Sequence, residues 1–357
     1  MRDTETKKLD SEILGFIRKY AWKQAPAAAF EGLALKIFGY QFRRNVLYRR
    51  WCLIENKKPE SVRSWREIPA MPASGFKELV LTTFLKKDTV KVFRTSGTTG
   101  QNHSRGAHFF DSLDLYEAAL APTFKKFLLP DTSAVPMRFL ISSPKEAPDS
   151  SLSFMMGVVD RRFAQGNGKF YFKAGRPFFK ELAEDLRRPG SPSLLLATAL
   201  TLKGFLDHLK REKICLKLPP GSRLMETGGF KGYTQKISKT ALYAECQKYL
   251  GIPADHCLSE YGMTELSSQF YAKGPRGFFQ GPAWTRTLVM DPLTGRQAQP
   301  GKKGLLKHFD LANRGSVMVI QTEDRGRIAR AGFELLGRFE GSERRGCSLS
   351  YEEFIRQ

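Results

Sequence analysis

The 357-residue sequence has few cysteines, no long apolar run and a deficit of acidic residues. Its five cysteines are odd in number and far apart, and none forms a CxxC pair, which argues against both a disulfide framework and a zinc site. No apolar run approaches the roughly 18–20 residues that cross a bilayer, and the N-terminal stretch lacks the apolar core of a secretion signal. These absences predict a cytoplasmic protein without a transmembrane segment.

Acidic side chains are outnumbered, because 58 Lys and Arg residues face 36 Asp and Glu residues and give a formal net charge of +22. Such a charge attracts anions, and the candidates are nucleic acid, an anionic membrane surface, a nucleotide or an acidic acyl carrier protein. The basic residues are scattered doublets rather than one tract, and no recognised nucleic-acid-binding motif is present. We expect no nucleic-acid partner, and a basic nucleic-acid-binding protein is kept as a distant alternative.

Apolar material is abundant, with 41% hydrophobic and 12% aromatic residues, so the chain can bury a large core. At roughly 150 residues per domain, the length predicts two domains or one large domain with a small appendage.

The pattern of apolar residues predicts an α/β protein with a helical N-terminus. Helical spacing between residues 9 and 55 indicates two helices. Strand-like runs then follow at Val90–Thr95, Arg138–Ser142, Leu194–Ala197 and Arg223–Thr227, with helical stretches around residues 152–163, 177–188, 198–211 and 234–250. This alternation favours a mostly parallel sheet, because parallel neighbours need crossover connections. From residue 284 onward, short runs separated by turn signals predict a small β subdomain. The expected domains are residues 1–283 and 284–357.

The densest chemical signal is the run FRTSGTTG, which directly follows a predicted strand. Its hydroxyls can donate to phosphate oxygens, and its glycines let the backbone curl around an anion. No GxxxxGK[ST] spacing fits here or elsewhere, so the run is not a Walker A loop. A cluster of this kind is by itself more often an ordinary surface turn. The candidate phosphate contacts are Thr95, Ser96, Gly97, Thr98, Thr99 and Gly100.

A second run, YGMTE, makes the nucleotide interpretation much more specific. Tyr261 offers a ring to stack on a base, and Gly262 allows a close backbone approach. Thr264 can donate to a phosphate oxygen, and Glu265 is a candidate catalytic carboxylate and Mg²⁺ ligand.

Together these runs resemble the adenylate-forming superfamily of acyl and aryl ligases. Three further stretches agree with that family's order. The TGGF run resembles the segment that lines the adenine, which implies that role for Gly228, Gly229 and Phe230. The TEDRG run is similar to the stretch whose aspartate holds the ribose hydroxyls, which implies Asp324. The GR pair implies Arg338 near the ribose and phosphate. The resemblance also implies ATP and Mg²⁺.

The C-terminus departs from the full-length pattern, because the sequence stops shortly after Arg338 and no full-size mobile C-terminal domain is expected. With ETGGFKG and the terminal RGCSLS, this resembles the LuxE-type acyl-protein synthetases, which activate a fatty acid as acyl-AMP and then load it onto their own cysteine. That role falls on Cys347, which follows Arg344 and Arg345, and nearby cations favour its thiolate. A thioester is reactive enough to be handed on.

The leading hypothesis is therefore an ATP-dependent long-chain-fatty-acid–protein ligase that delivers its acyl group to an acyl reductase. An acidic acyl carrier protein is a further candidate partner. The alternatives are an acyl- or aryl-CoA ligase of the same superfamily and an adenylating relic that only scaffolds a reductase complex.

The remaining cysteines and histidines carry no such role. Cys52, Cys215, Cys246 and Cys257 lie in apolar or helical contexts and are expected in the core. His256 beside Cys257 suggests a dyad, but adjacent residues on a strand point to opposite faces, so a structural role is expected. His108 has no partner visible in the sequence.

Overall fold

The secondary structure comes from a computed structural model that describes residues 2–96, 105–188, 190–229, 237–329 and 332–339. The helices in these ranges are α1 Thr4–Tyr20, α2 Ala27–Arg44, α3 Val46–Ile54, α4 Gly75–Glu78, α5 Asp114–Leu128, α6 Ser151–Phe163, α7 Phe179–Arg187, α8 Ala199–Arg211 and α9 Lys239–Leu250. The strands are β1 Met71–Pro72, β2 Lys91–Arg94, β3 Ala107–Phe110, β4 Met137–Leu140, β5 Lys169–Phe170, β6 Phe172–Lys173, β7 Arg176–Pro177, β8 Leu194–Thr198, β9 Arg223–Thr227, β10 Cys257–Tyr261, β11 Phe270–Lys273, β12 Thr285–Met290, β13 Gly304–Asp310, β14 Val319–Ala329 and β15 Gly332–Arg338.

The chain divides into two compact units. The first unit comprises Met1–Leu120, Met263–Ser268 and Gln280–Gln357, and the second comprises Ala121–Gly262 and Gln269–Phe279. The N-terminal helices thus share a unit with the C-terminal strands, a grouping that the sequence did not suggest. The division into residues 1–283 and 284–357 stays a prediction.

The sheet of the first unit has the strand order β1-β14-β13-β12, with β15 also paired to β14. Strands β12 to β15 are antiparallel, and β1 is parallel to β14. These strands confirm the hairpin pattern predicted from residue 284 onward. A separate antiparallel pair, β2 and β3, also belongs to this unit.

Three helices, rather than the predicted two, begin the first unit. The side chain of Asp3 caps α1 by accepting a hydrogen bond from the backbone N–H of Thr6 at 2.9 Å. The extra helix arises at Asn45, whose extended backbone ends α2 and whose side-chain Oδ1 accepts a hydrogen bond from the N–H of Tyr48 at 3.1 Å, capping α3. The apolar spacing is continuous across this break, so the pattern alone did not reveal it.

A buried ion-pair cluster joins distant segments of the first unit. The guanidinium of Arg314, whose side chain is 2% exposed, lies 2.8 Å from a carboxylate oxygen of Asp10 and 3.0 Å from one of Asp111. Two hydrogen bonds reach each carboxylate. Burying a guanidinium is tolerated only when it is paired in this way, so the cluster connects α1, the end of β3 and the loop before β14.

The second unit is built on a six-stranded sheet with the order β11-β10-β9-β8-β4-β5. Its strands are parallel except for β11, which is antiparallel to β10. The predicted strand and helix alternation is therefore confirmed. Helices α7, α8 and α9 bury apolar side chains in one cluster with the sheet, among them Leu182, Phe205, Leu206, Leu242 and Leu250.

Helix ends in this unit follow simple capping chemistry. Thr198, the last residue of β8, caps α8 in a capping box with Thr201. Gly251 ends α9 with φ of +73°, a conformation that glycine adopts without strain. None of the described helices has the length and apolarity needed to span a lipid bilayer.

Three of the four cysteines expected in the core are buried there, namely Cys52, Cys246 and Cys257, but the prediction was wrong for Cys215, which is exposed. Cys215 lies in the connection after α8, where its apolar neighbours Ile214 and Leu216 turn toward the core and the residue between them faces solvent.

Candidate functional site

The predicted phosphate loop connects the end of β2 to the start of β3. The N–H of Thr95 donates to the carbonyl oxygen of Gly106 at 2.9 Å, and the N–H of Gly106 donates to the Thr95 hydroxyl at 2.8 Å. Arg105 Nε also donates to the Thr95 carbonyl at 2.7 Å. The two ends of the loop are therefore fixed side by side. Thr95 and Ser96 lie at this base, whereas Gly97, Thr98, Thr99 and Gly100 lie outside the described residues.

The backbone of Thr264 and Glu265 is held by two buried side chains of the first unit. His108 Nδ1 lies 2.8 Å from the carbonyl oxygen of Thr264, and Asn313 Nδ2 donates to the carbonyl oxygen of Glu265 at 2.8 Å. Burial lowers the pKa of His108 to about 4, so the ring is neutral near pH 7. A carbonyl only accepts, so the proton of this neutral ring resides on Nδ1. His108, for which the sequence showed no partner, is thus a support of the YGMTE run.

The carboxyl group of Glu265 is buried in the first unit and has a raised pKa. Its residue is 6% exposed, and burial raises its pKa to about 7. A hydrogen bond from the Glu265 backbone opposes that rise most, the charges of Arg338 and Lys77 also oppose it, and the negative charge of Asp324 adds to it. The charges of Asp324 and Arg338, two residues predicted from other motifs, therefore affect the pKa of Glu265.

This environment fits a magnesium ion that is completed by a substrate. Within the described ranges, no group of three or more His, Cys, Asp and Glu side chains could hold a metal. Mg²⁺ usually takes one or two protein carboxylates together with substrate phosphates and water. Glu265, near Asp324, has the donor chemistry for such a partial site.

Asp324 and Arg338 are partners across neighbouring antiparallel strands. The register pairs Asp324 on β14 with Arg338 on β15, and Arg338 Nε lies 3.6 Å from Asp324 Oδ1. The ladder shifts register between Asp324 and Gly326, and Gly337 has φ of +100°. The sheet therefore brings together Asp324, predicted to hold the ribose hydroxyls, and Arg338, predicted to lie near the ribose and phosphate.

In the second unit, the predicted glycines occupy the ends of two parallel strands. Gly228 and Gly229 follow β9, and Gly262 follows β10, with Thr227 in register with Glu260. Ligands of α/β sheets bind outside such carboxyl ends. Gly228 has φ of +81°, and a Cβ on Gly262 would lie 2.5 Å from Oε1 of Glu260, so both positions favour glycine.

Tyr261 is mostly covered by protein. Its residue is 8% exposed, and its ring makes edge contacts with the rings of Phe270 and Phe279 at centroid distances of 5.9 and 5.8 Å. The predicted stacking of this ring on a base stays a prediction. Phe230 and the candidate acyl acceptor Cys347 lie outside the described residues.

A buried polar network beneath the glycine turns was missed by the sequence interpretation. The Thr227 hydroxyl donates to Glu260 Oε2, and burial, with the nearby charge of Glu226, raises the pKa of Glu260 to about 7 although that hydrogen bond opposes the rise. Glu226 Oε1 accepts a hydrogen bond from the Tyr243 hydroxyl at 2.9 Å and lies 3.1 Å from Lys239 Nζ. A glutamate inside each of two strands, RLMET and CLSEY, was the available signal.

The acyl-protein synthetase family LuxE matches residues 20–355. The chain belongs to this family. Its membership confirms the predicted resemblance to the LuxE-type acyl-protein synthetases and identifies the chain as an acyl-activating ligase.

Solved structures agree with this LuxE-family fold. Similarity to 2-hydroxyisobutyryl-CoA ligase in complex with 2-HIB-AMP and CoA has a TM-score of 0.65 at 15% identity, over 90% of this chain and 77% of that one. A long-chain-fatty-acid-CoA ligase from Archaeoglobus fulgidus gives 0.52 at 14% identity, over 71% and 52%. ATP-bound MatB from Rhodopseudomonas palustris gives 0.50 at 15%, over 72% and 49%. The chain thus spans about half the length of these last two ligases.

These likenesses confirm the predicted α/β fold of the adenylate-forming type. No curated protein sequence matches the chain.

Proposed function

We propose that this LuxE-family chain activates a long-chain fatty acid with ATP, forming acyl-AMP, and then transfers the acyl group to the thiol of Cys347. The observation that carries the adenylation step is the electrostatic grouping of Glu265, Asp324 and Arg338 in the first unit. In this proposal Glu265 holds Mg²⁺, Asp324 accepts hydrogen bonds from the ribose hydroxyls, and Arg338 neutralises phosphate charge.

The phosphate loop serves the same nucleotide. Thr95 and Ser96 begin it, and the pairing of Thr95 with Gly106 fixes where its ends lie. The adenine-lining role that the resemblance implies for Gly228 and Gly229 stays a prediction. Bound Mg²⁺ would supply positive charge against the phosphates, while the chain supplies orientation and the remaining cations.

The chemistry of the two steps explains why both are needed. A carboxylate resists nucleophilic attack because it is negatively charged, and its mixed anhydride with AMP removes that charge and provides a good leaving group. The Cys347 thiolate then attacks the acyl carbon, the bond to the AMP oxygen breaks, and AMP leaves as an anion. The resulting thioester is passed to an acyl reductase, and the net charge of +22 suits an acidic carrier protein as a further partner.

The decisive experiment measures covalent loading. After incubation with ATP, Mg²⁺ and labelled fatty acid, we expect a hydroxylamine-labile label on the protein, absent in Cys347→Ser. The matched control is Cys215→Ser, which removes the exposed cysteine of the second unit and should label like the wild type.

Other outcomes identify the alternatives. Release of acyl-CoA at an unchanged rate in Cys347→Ser would identify a coenzyme A ligase. Absence of acid-dependent exchange between ATP and pyrophosphate would identify an adenylating relic.

A further inference from the structure

The segment that carries Lys77 is fixed beside the strand that carries Asp324. Strand β1 pairs with β14 in parallel, with Met71 opposite Ile320 and Pro72 opposite Gln321. The N–H of Ala73 continues the pairing by donating to the Gln321 carbonyl at 2.9 Å. The short helix α4 starts two residues later, so its position follows from the register of β14.

A second contact holds α4 against His108, the residue whose ring contacts the carbonyl oxygen of Thr264. Phe76 is 2% exposed, and its ring meets the His108 ring edge-on at a centroid distance of 5.4 Å. His108 is the side chain that holds the carbonyl of Thr264. The residue after Phe76, Lys77, is exposed and therefore extends from a well-anchored position.

The stem of Lys77 passes the base of the phosphate loop. A Cβ placed on Gly106 would lie 3.5 Å from Cγ of Lys77 and 3.0 Å from Cγ2 of Thr95. Lys77 thus lies beside the base of the phosphate loop, on a helix that packs against His108.

From this geometry we propose that Lys77 is a further catalytic residue of adenylation, whose ammonium group binds the nucleotide phosphates and stabilises the departing pyrophosphate. This inference rests on the proposed function. It names a cation from the N-terminal part of the chain, which no motif of the sequence singled out.

Lys77 neither gains nor loses a proton in the proposed adenylation step. A carboxylate oxygen of the fatty acid bonds to the α-phosphorus of ATP, and the bond from that phosphorus to the bridging oxygen breaks. Pyrophosphate leaves with the electron pair and gains negative charge. An ammonium group that stays protonated lowers the energy of this charge in the transition state.

The test compares Lys77→Gln with Lys77→Arg and with Lys87→Gln, an exposed lysine of the same unit, as the matched control. We expect Lys77→Gln to lower the maximal rate of acid-dependent exchange between ATP and pyrophosphate by about 10²-fold. Lys77→Arg, which keeps the charge, should recover part of the rate, and Lys87→Gln should match the wild type.

A binding readout separates a catalytic from a structural role. Pyrophosphate alone should raise the Tm of the wild type and of Lys87→Gln, because a ligand of the folded state stabilises it. Lys77→Gln should lose most of this shift while keeping the Tm of the free protein. An exchange rate or a pyrophosphate shift equal to that of the wild type would overturn the proposal for Lys77. A wild type without exchange would instead overturn the proposed adenylation.

Discussion

Glu260 and Glu265 are five positions apart, both are buried, and burial raises the pKa of each to about 7. Their surroundings differ. Glu260, in the second unit, accepts a hydrogen bond from Thr227 and has the carboxylate of Glu226 nearby. The pKa of Glu265, in the first unit, is also affected by the charges of Arg338, Asp324 and Lys77. The same raised pKa thus occurs in a structural hydrogen-bond network at Glu260 and in a candidate ligand-binding carboxylate at Glu265.

The comparison shows that a perturbed pKa does not by itself identify a catalytic group. Structural networks perturb pKa values as active sites do. The charges that face each carboxyl group decide between the two interpretations, and they lead to different outcomes for the same substitution.

The largest expected difference is in activity. Glu265→Gln should lower the acid-dependent exchange between ATP and pyrophosphate by about 10²–10³-fold, because it removes the proposed magnesium carboxylate. Glu260→Gln should keep most of the rate, since an amide has the same shape and can still bond with the Thr227 hydroxyl. Equal losses of exchange rate in the two variants would contradict the different roles given to Glu260 and Glu265.

The next difference concerns stability against pH. A glutamate with an ordinary pKa of 4.5 and a folded-state pKa of about 7 binds more protons in the folded than in the unfolded state between these values. Its contribution to the free energy of unfolding therefore falls as pH rises through this window, by about 3 kcal/mol in total. Glu260→Gln should be the more stable protein above pH 7 and should approach the wild type near pH 4.5.

Urea unfolding at a series of pH values measures this effect, with Glu60→Gln as the control for an exposed carboxylate. A wild-type pH dependence retained in Glu260→Gln would show that Glu260 is not protonated in the folded protein near neutral pH.

The smallest expected effect tests the charges around Glu265. The negative charge of Asp324 raises the pKa of Glu265 in the free protein, so Asp324→Asn should move the midpoint of the acidic limb of kcat/KM to lower pH. We expect the midpoint to move by less than about one pH unit. A whole unit would require the Asp324 charge to change the ionisation free energy of Glu265 by about 1.4 kcal/mol. The pH dependence of the Glu260 contribution to stability should not change. A midpoint that moves to higher pH would contradict the assignment.

Local patterns predicted Leu194–Ala197, which is apolar throughout, and Arg223–Thr227, although it buries Glu226, but they missed Cys257–Tyr261. Leu194–Thr198 has four buried apolar residues in a row and was predicted. Cys257–Tyr261 was not, because Ser259 and Glu260 interrupt its apolar run. Their partners, Lys239 and Thr227, come from distant positions in the chain. Because a short stretch of sequence does not include these partners, its pattern predicts that Ser259 and Glu260 are exposed.

The candidate site divides in the same way. Motifs marked Glu265, Asp324 and Arg338 because each lies in a recognisable run. Lys77, His108 and Asn313 lie in no such run, and their positions depend on the pairing of β1 with β14 and on buried side-chain contacts. Residues that hold other residues in place are therefore the part of the site that only the folded structure reveals.

The Arg314 cluster has a consequence for the order in which the chain matures during synthesis. Asp111 leaves the ribosome about 200 residues before Arg314, so its carboxylate stays hydrated until that cation is made, whereas the carboxylate of Asp10 also pairs with Arg2 at 2.9 Å. The second unit is complete by residue 279 and precedes that event. We therefore expect the second unit to fold first during synthesis. The first unit is completed only after Arg314 has been made.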